Sequence, residues 1–191
     1  RVLVSTTTHI QCPERSWART EAQREALWAA GQFAVAGAPA EGGKLIRPPA
    51  LQEWMAQADA VFLEADGAKR LPCKAPADYE PVLLPESDLV LAVAGLSAVG
   101  RPLREVCFRL EQACALLGVG PEAPLTPALL AKLLASDAGG RKNVGARRFA
   151  AVLNQADTSE RQAAGKTTQE ILQTQYGVTA VLTQFTEEER A

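Results

Sequence analysis

The sequence predicts an α/β fold with a mostly parallel sheet flanked by helices. Three short apolar runs carry the strands: residues 60–65 (AVFLEA), 89–94 (LVLAVA) and 149–153 (FAAVL), each ended by a turn or polar residue. Runs of this length and composition are what strands buried on both faces look like. Segments of helical spacing lie between them, and strands alternating with amphipathic helices build a parallel sheet by crossover. Ligands of such sheets sit at the carboxyl ends of strands. The residues that follow each run are therefore the informative ones.

The elements follow in order. Residues 1–5 (RVLVS) read as a strand that runs into the polar cluster Thr6, Thr7, Thr8 and His9. Residues 14–31 read as a helix with apolar points at Trp17, Leu27 and Trp28 and a glycine stop at Gly31. Residues 32–37 and 44–46 flank the turn-rich AGAPAEGG and predict a small hairpin insertion over 32–47. Pro48 and Pro49 open a helix to about residue 58. Leu103, Val106, Cys107, Leu110, Ala113, Cys114 and Leu117 keep helical spacing and predict one helix, with both cysteines on its apolar face. Thr126 and Pro127 are an N-cap and first helical position; Asp157 or Thr158 caps a last helix that Gly177 stops, and residues 179–183 close the sheet.

A chain of 191 residues and 20.3 kDa predicts a single α/β domain over 1–191. With 47% hydrophobic and 22% charged residues it is neither disordered nor fibrous. Its net charge of −2 offers no basic surplus for nucleic acid or an anionic membrane. No apolar run reaches the ~18 residues of a membrane span. Cys12, Cys73, Cys107 and Cys114 have no CxxC spacing, so free thiols and a cytoplasmic location are expected. Arg1 opens directly into an apolar run, which reads as a segment missing upstream.

The strand ends carry the chemistry. Glu64, Asp66 and Gly67 end the most hydrophobic run. Carboxylates there suit the water shell of Mg²⁺, and a backbone N–H at Gly67 suits a γ-phosphate; the plainer reading is a tight turn using glycine at positive φ. Thr7 and Thr8 can offer hydroxyls to the ion or a phosphate, or can simply continue a strand. Asn154, Gln155, Ala156 and Asp157 follow a strand where guanine-nucleotide proteins carry Asn-Lys-x-Asp. A carboxylate at the fourth position accepts from guanine N1–H and the 2-amino group, whereas capping the next helix is the structural alternative. Lys69, Arg70 and Lys74 form a cationic run that can steer an anion. His9, Cys12 and Cys73 form a speculative soft set for a transition metal or selenium, with thiolate character at Cys73 favoured by those cations. Gly165, Lys166 and Thr167 mimic the end of a phosphate-binding loop, but GxxxxGK[ST] requires glycine where Glu160 stands.

The segments TTTHI (6–10), GGKL (42–45), EADGAKRLPCKAPADYEPV (64–82), AGLSAVGRPL (94–103), FR (108–109) and LNQAD (153–157) resemble, in order, the YqeC family of accessory proteins of selenium-dependent molybdenum hydroxylases. That resemblance implies a P-loop NTPase-like fold whose N-terminal strand, GGKT loop and helix are missing from this chain. It implies a nucleotide-dependent accessory factor, using GTP or ATP with Mg²⁺, that serves maturation of such a hydroxylase. Glu64, Asp66 and Thr8 would handle Mg²⁺, Thr7, Gly67 and Lys69 the phosphates, and Asn154 and Asp157 the base. The expected partners are the nucleotide and a molybdenum hydroxylase or its maturation proteins, with no nucleic acid and no membrane. A non-hydrolysing scaffold for a nucleotide or cofactor, and a molybdopterin nucleotidyltransferase-like enzyme, are the alternatives.

Overall fold

Val2, Leu3 and Val4 favour extended backbone and open β1 (Val2–Thr6), the strand around which the first part of the chain is built. In the computed structural model, which describes residues 1–185, the chain divides into two compact units, Arg1–Gly67 and Ala68–Ala191. The first continues through β2 (His9–Gln11), β3 (Trp17–Ala18), α1 (Glu21–Ala29), β4 (Ala34–Ala36), β5 (Ala38–Ala40), β6 (Lys44–Ile46), α2 (Leu51–Met55) and β7 (Ala60–Glu64). Its main sheet has the order β3-β4-β1-β7, parallel throughout, with Thr6 level with Glu64 at the carboxyl ends of β1 and the edge strand β7. A second, antiparallel sheet has the order β2-β6-β5. Gly42 and Gly43, both at positive φ, turn the β5–β6 hairpin.

Helix α1 packs an unusual core residue. Arg24 is fully buried, with Nη2 bonded to Glu21 (3.2 Å), Glu25 (2.6 Å) and Gln57 (2.6 Å). Its guanidinium lies 4.6 Å from the centroid of the Trp28 ring and 5.0 Å from that of Trp54. The Trp28 indole N–H donates to the carbonyl of Val2, tying the helix to the sheet.

Three expectations for this unit are corrected. The helix expected from Glu14 starts only at Glu21, because Thr20 caps it, Ser16 is left-handed, and Trp17 and Ala18 pair with β4 instead. Of the expected hairpin arms, 44–46 is one, but Ala34–Ala36 joins the parallel sheet and Ala38–Ala40 supplies the other arm. The helix after Pro48 and Pro49 is confined to α2.

The second unit holds β8 (Cys73–Lys74), β9 (Leu89–Gly95), α3 (Leu103–Val106), β10 (Cys107–Phe108), α4 (Leu110–Leu117), α5 (Pro127–Ala135), β11 (Arg148–Asn154), α6 (Ser159–Tyr176) and β12 (Ala180–Leu182). A parallel three-stranded sheet has the order β12-β11-β9, and β8 and β10 form a parallel two-stranded ladder. Ala94, Ala151, Leu153 and Ala180 face a core shared with Leu130, Leu133, Leu134 and Leu172 of α5 and α6. Thr126 and Thr158 cap those helices, each accepting the N–H three residues on. Gly177, left-handed, ends α6 as expected.

The helix expected through 103–117 is interrupted. Cys107 leaves the helical path to pair with Cys73, and Arg109 turns left-handed (φ 62°) before α4 restarts. The spacing survives the break because Val106, Cys107, Ala113 and Leu117 still reach one core. Strands β7 and β9 also differ from expectation, since their residues alternate in exposure. Leu89, Leu91 and Val93 are exposed on β9, as is Phe62 on β7. Among the described residues, no helix is long and apolar enough to cross a membrane.

Candidate functional site

Strands β1 and β7 end side by side, and the polypeptide that leaves them carries the expected acidic and hydroxyl groups. The Glu64 carbonyl accepts from Thr6 Oγ1 (2.9 Å), the Thr7 N–H (2.9 Å) and Thr7 Oγ1 (3.4 Å). Thr6 Oγ1 in turn accepts the Thr8 N–H at 2.9 Å and lies 3.3 Å from Thr8 Oγ1. The loop that carries Thr7 and Thr8 is thus fixed against the strand that carries Glu64. Thr6 is buried within this network, Thr7 and Thr8 are half-buried, and Glu64 is exposed.

Gly67 closes the cluster. A Cβ placed on it would meet Glu64 Oε1 at 3.6 Å, an ordinary contact, and its φ is not left-handed. The tight-turn account of this glycine therefore does not hold: the backbone conformation does not demand it. The left-handed residues are instead Lys69 (φ 49°) and Arg70 (φ 64°). Each costs about 1–2 kcal/mol relative to ordinary backbone, and such outliers concentrate at functional sites. Glu64, Asp66 and Thr8 are hard oxygen donors of the kind Mg²⁺ takes. Among the described residues, no group of three or more His, Cys, Asp or Glu is arranged to hold a metal ion directly. Two carboxylates and hydroxyls suit an ion that keeps several of its waters.

In the second unit, Asn154 ends β11 level with Gly95 at the end of β9. Asn154 Oδ1 accepts the Gln155 N–H (2.8 Å) and Thr183 Oγ1–H (3.0 Å), which fixes the amide. Gln155 is left-handed (φ 65°), and its Oε1 lies 2.5 Å from Ser97 Oγ. A Cβ on Gly95 would run into that same oxygen, so the approach of the two loops depends on glycine. Asp157 does not cap α6, since Thr158 does. Its carboxylate accepts from the Phe185 N–H at 3.4 Å and lies 3.6 Å from Arg161.

A polar cluster that the sequence did not reveal surrounds Glu80. Its carboxylate accepts from Lys74 (2.8 Å), the Ala77 N–H (3.1 Å), and Arg109 Nε (3.1 Å) and Nη2 (2.9 Å). Burial alone would push this carboxyl up, but the bonds from Arg109, Lys74 and Ala77 outweigh it and hold it at about 2. The Phe108 ring has Arg109, Lys69 and Lys74 at 4.8, 5.0 and 5.4 Å from its centroid. Arg109 Nη2 also donates to the Tyr79 hydroxyl at 3.1 Å. Lys69 and Lys74 were visible as part of a cationic run, whereas Glu80 and Arg109 are 29 residues apart and nothing local links them.

The soft set divides. His9 is exposed on β2, and the half-buried Cys12 thiol points to the Pro13 carbonyl at 3.7 Å, both in the first unit. Cys73 belongs to the second unit, where it is 3% exposed and donates to the Val106 carbonyl at 3.2 Å. The neighbouring Cys107 sulfur, with burial, pushes the Cys73 thiol up, against the thiolate character expected there. Gly165 is a packing glycine inside α6, facing Leu96 and Leu182, as its rejection as a phosphate loop requires.

Residues 1–111 match the family described as YqeC protein. The chain is also 30% identical over 168 residues to a protein of Escherichia coli (strain K12) named "Uncharacterized protein YqeC", the match covering 78% of this chain and 63% of that relative. The chain thus spans less than two thirds of the curated relative it matches. No solved structure matches. The match takes in the Thr7–Thr8 loop, the Glu64 and Gly67 turn, and the Glu80–Arg109 cluster, and on that extent the chain belongs to the YqeC family.

Proposed function

We propose that the protein is a nucleotide-dependent accessory factor, using GTP or ATP with Mg²⁺, for maturation of a selenium-dependent molybdenum hydroxylase, on a P-loop NTPase-like fold. The observation that carries the reading is the fixed meeting of Thr7, Thr8, Glu64 and Gly67 at the carboxyl ends of two neighbouring parallel strands. The hydroxyl of Thr8 and the carboxylates of Glu64 and Asp66 would hold the ion and its waters. A magnesium ion supplies charge neutralisation of the phosphates when bound. The Gly67 backbone and Thr7 orient the terminal phosphate, with Lys69 as a further cation. Base choice would fall to Asn154 and Asp157 of the second unit, whose carboxylate is the acceptor type that the donor pair of guanine, absent from adenine, calls for.

The test uses the full-length protein and a fluorescent guanine nucleotide. Glu64→Gln with Asp66→Asn is expected to weaken Mg²⁺-dependent binding at least tenfold, whereas binding in EDTA changes little. Asp157→Asn is expected to lose guanine preference and admit xanthine nucleotides, a charge-assisted contact being worth roughly 1.5–3 kcal/mol. Binding indifferent to Mg²⁺ and to both carboxylates would remove the reading. Preference for ATP would overturn the base assignment alone. Phosphate release then separates turnover from binding without hydrolysis.

A further inference from the structure

Six non-glycine residues among those described have left-handed backbone, and three of them are basic: Lys69 (φ 49°), Arg70 (φ 64°) and Arg109 (φ 62°). Outliers of this kind persist where the surroundings hold them, and they gather where a side chain must be aimed. Lys69 and Arg109 are aimed at one ring, that of Phe108, at 5.0 and 4.8 Å from its centroid. Phe108 stands opposite Lys74 in the β8–β10 ladder, so the ring sits on fixed backbone. The Arg109 guanidinium is clamped along one edge. Nε and Nη2 donate to the two oxygens of Glu80, and Nη2 donates again to the Tyr79 hydroxyl at 3.1 Å.

Three of the five guanidinium N–H groups are thereby used, and the two on Nη1 meet no acceptor among the described residues. The Tyr79 hydroxyl accepts from Arg109, which leaves its own proton to donate, and Tyr79 is 71% exposed. Lys69 is exposed too, and its ammonium has the ring contact but no ion pair among the described residues. The Glu80 carboxylate is already shared between Lys74 and Arg109. What Arg109, Lys69 and Tyr79 offer to solvent is therefore donors, two of the three groups being cationic. Such a set suits a ligand group that carries acceptors alone and more than one negative charge. A carboxylate carries one charge, whereas a phosphomonoester carries about −1.5 to −2 at neutral pH.

We propose that Arg109, Lys69 and Tyr79 form a binding site for a phosphate dianion, either free or as the head of an organic monoester. Arg109 donates from Nη1 to one oxygen, the Tyr79 O–H donates to a second, and Lys69 swings on its four-carbon stem to a third. Glu80 holds the guanidinium in place beforehand, so little side-chain freedom is lost on binding. The exposed Tyr79 ring offers a face to the organic part of an aromatic ester. Lys69 is shared with the proposed nucleotide site, but the phosphate site needs neither Mg²⁺ nor Glu64 and Asp66.

The test titrates the full-length protein, free of nucleotide and in EDTA, with phenyl phosphate, inorganic phosphate, benzoate and phenol, read by calorimetry. Saturable binding of a phosphate is expected, with benzoate at least about tenfold weaker and phenol silent. Tighter binding of phenyl phosphate assigns the site to an organic monoester, and tighter binding of inorganic phosphate assigns it to the free ion. Arg109→Lys keeps a charge for Glu80 but removes Nη1, and should weaken phosphate binding at least about tenfold. Lys69→Gly suits the left-handed backbone, removes the second cation and should cost about tenfold. Tyr79→Phe keeps the ring and should cost about threefold. No saturable heat with either phosphate at about 5 mM overturns the proposal, and so does benzoate binding as tightly. Binding unmoved in Arg109→Lys overturns it even where Lys69→Gly lowers affinity, because the anion then sits with the phosphates of the nucleotide. Should Arg109→Lys not fold, Tyr79→Phe takes its place in that comparison.

Discussion

Replacing Glu80 by glutamine removes the carboxylate that anchors Lys74 and Arg109, and the structure allows the cost to be worked out. The Glu80 side chain is 10% exposed, with Lys74 at 11% and Arg109 at 20%, so the cluster is shielded but not dry. A carboxyl ordinarily near 4.5 is held at about 2. By proton linkage that difference corresponds to roughly 3 kcal/mol at neutral pH, reduced to about 2–3 kcal/mol by residual solvent screening. The folded-state value is depressed, so this stability is fully present above about pH 4.5 and disappears as pH falls towards 2. Glutamine cannot titrate. Urea denaturation of wild type and Glu80→Gln should therefore differ by about 2–3 kcal/mol at pH 7, and the gap should narrow by roughly 1–2 kcal/mol by pH 3.5–3. Subtracting the variant removes the acid sensitivity of every other carboxylate. A gap below about 0.5 kcal/mol at pH 7, or one that does not change with pH, would refute the account of this cluster as a coupled ion network.

Arg24→Ala should cost about 2–4 kcal/mol, read by tryptophan fluorescence in urea, because a fully buried side chain is removed from between two indoles. Arg24→Met, which restores most of the volume, should recover part of that loss; no recovery would place the cost in the charge instead. Gly165→Ala forces a Cβ to within 2.8 Å of Leu96 and 2.9 Å of Leu182. Overpacking of about 1–3 kcal/mol against a helix-propensity gain of about 1 leaves a net loss near 1 kcal/mol, with nucleotide binding unchanged. Lost binding at unchanged stability would reinstate Gly165 as a phosphate element. Thr158→Ala should cost about 1 kcal/mol as the loss of an N-cap, and Asp157→Ala less than about 0.5; a larger cost for Asp157→Ala than for Thr158→Ala would return the cap to Asp157.

What could be read from the sequence divides along a physical line. Strands β1, β7, β9 and β11 were legible because an apolar run bounded by turn residues is a local signal, and so was the Thr126 cap, whereas the cap of the last helix was open between Asp157 and Thr158. Their carboxyl ends followed from the topology of parallel sheets, which led to Glu64, Thr8 and Asn154 without knowledge of contacts. The two-residue strands β3, β8 and β10 were not legible, because each owes its existence to a partner far away in the chain. Trp17 illustrates the failure. Its apolar ring fits the period of α1, yet its backbone pairs with β4 and its indole N–H is claimed by the Gly37 carbonyl 20 residues on.

The break at Cys107 carries the same point further, into chemistry. Helical spacing reports which side chains seek the core, and Cys107 does seek it, at 3% exposure. It does not report which neighbour each side chain meets there. Placed on a helix, Cys107 is a small apolar filler; placed on a strand, the same buried sulfur stands directly opposite Cys73. The left-handed Arg109 that follows then turns its guanidinium onto Glu80. Backbone path, and not burial, decides whether these residues are packing or a site. The sequence carries that path only as two short segments whose mutual affinity is invisible until both are folded.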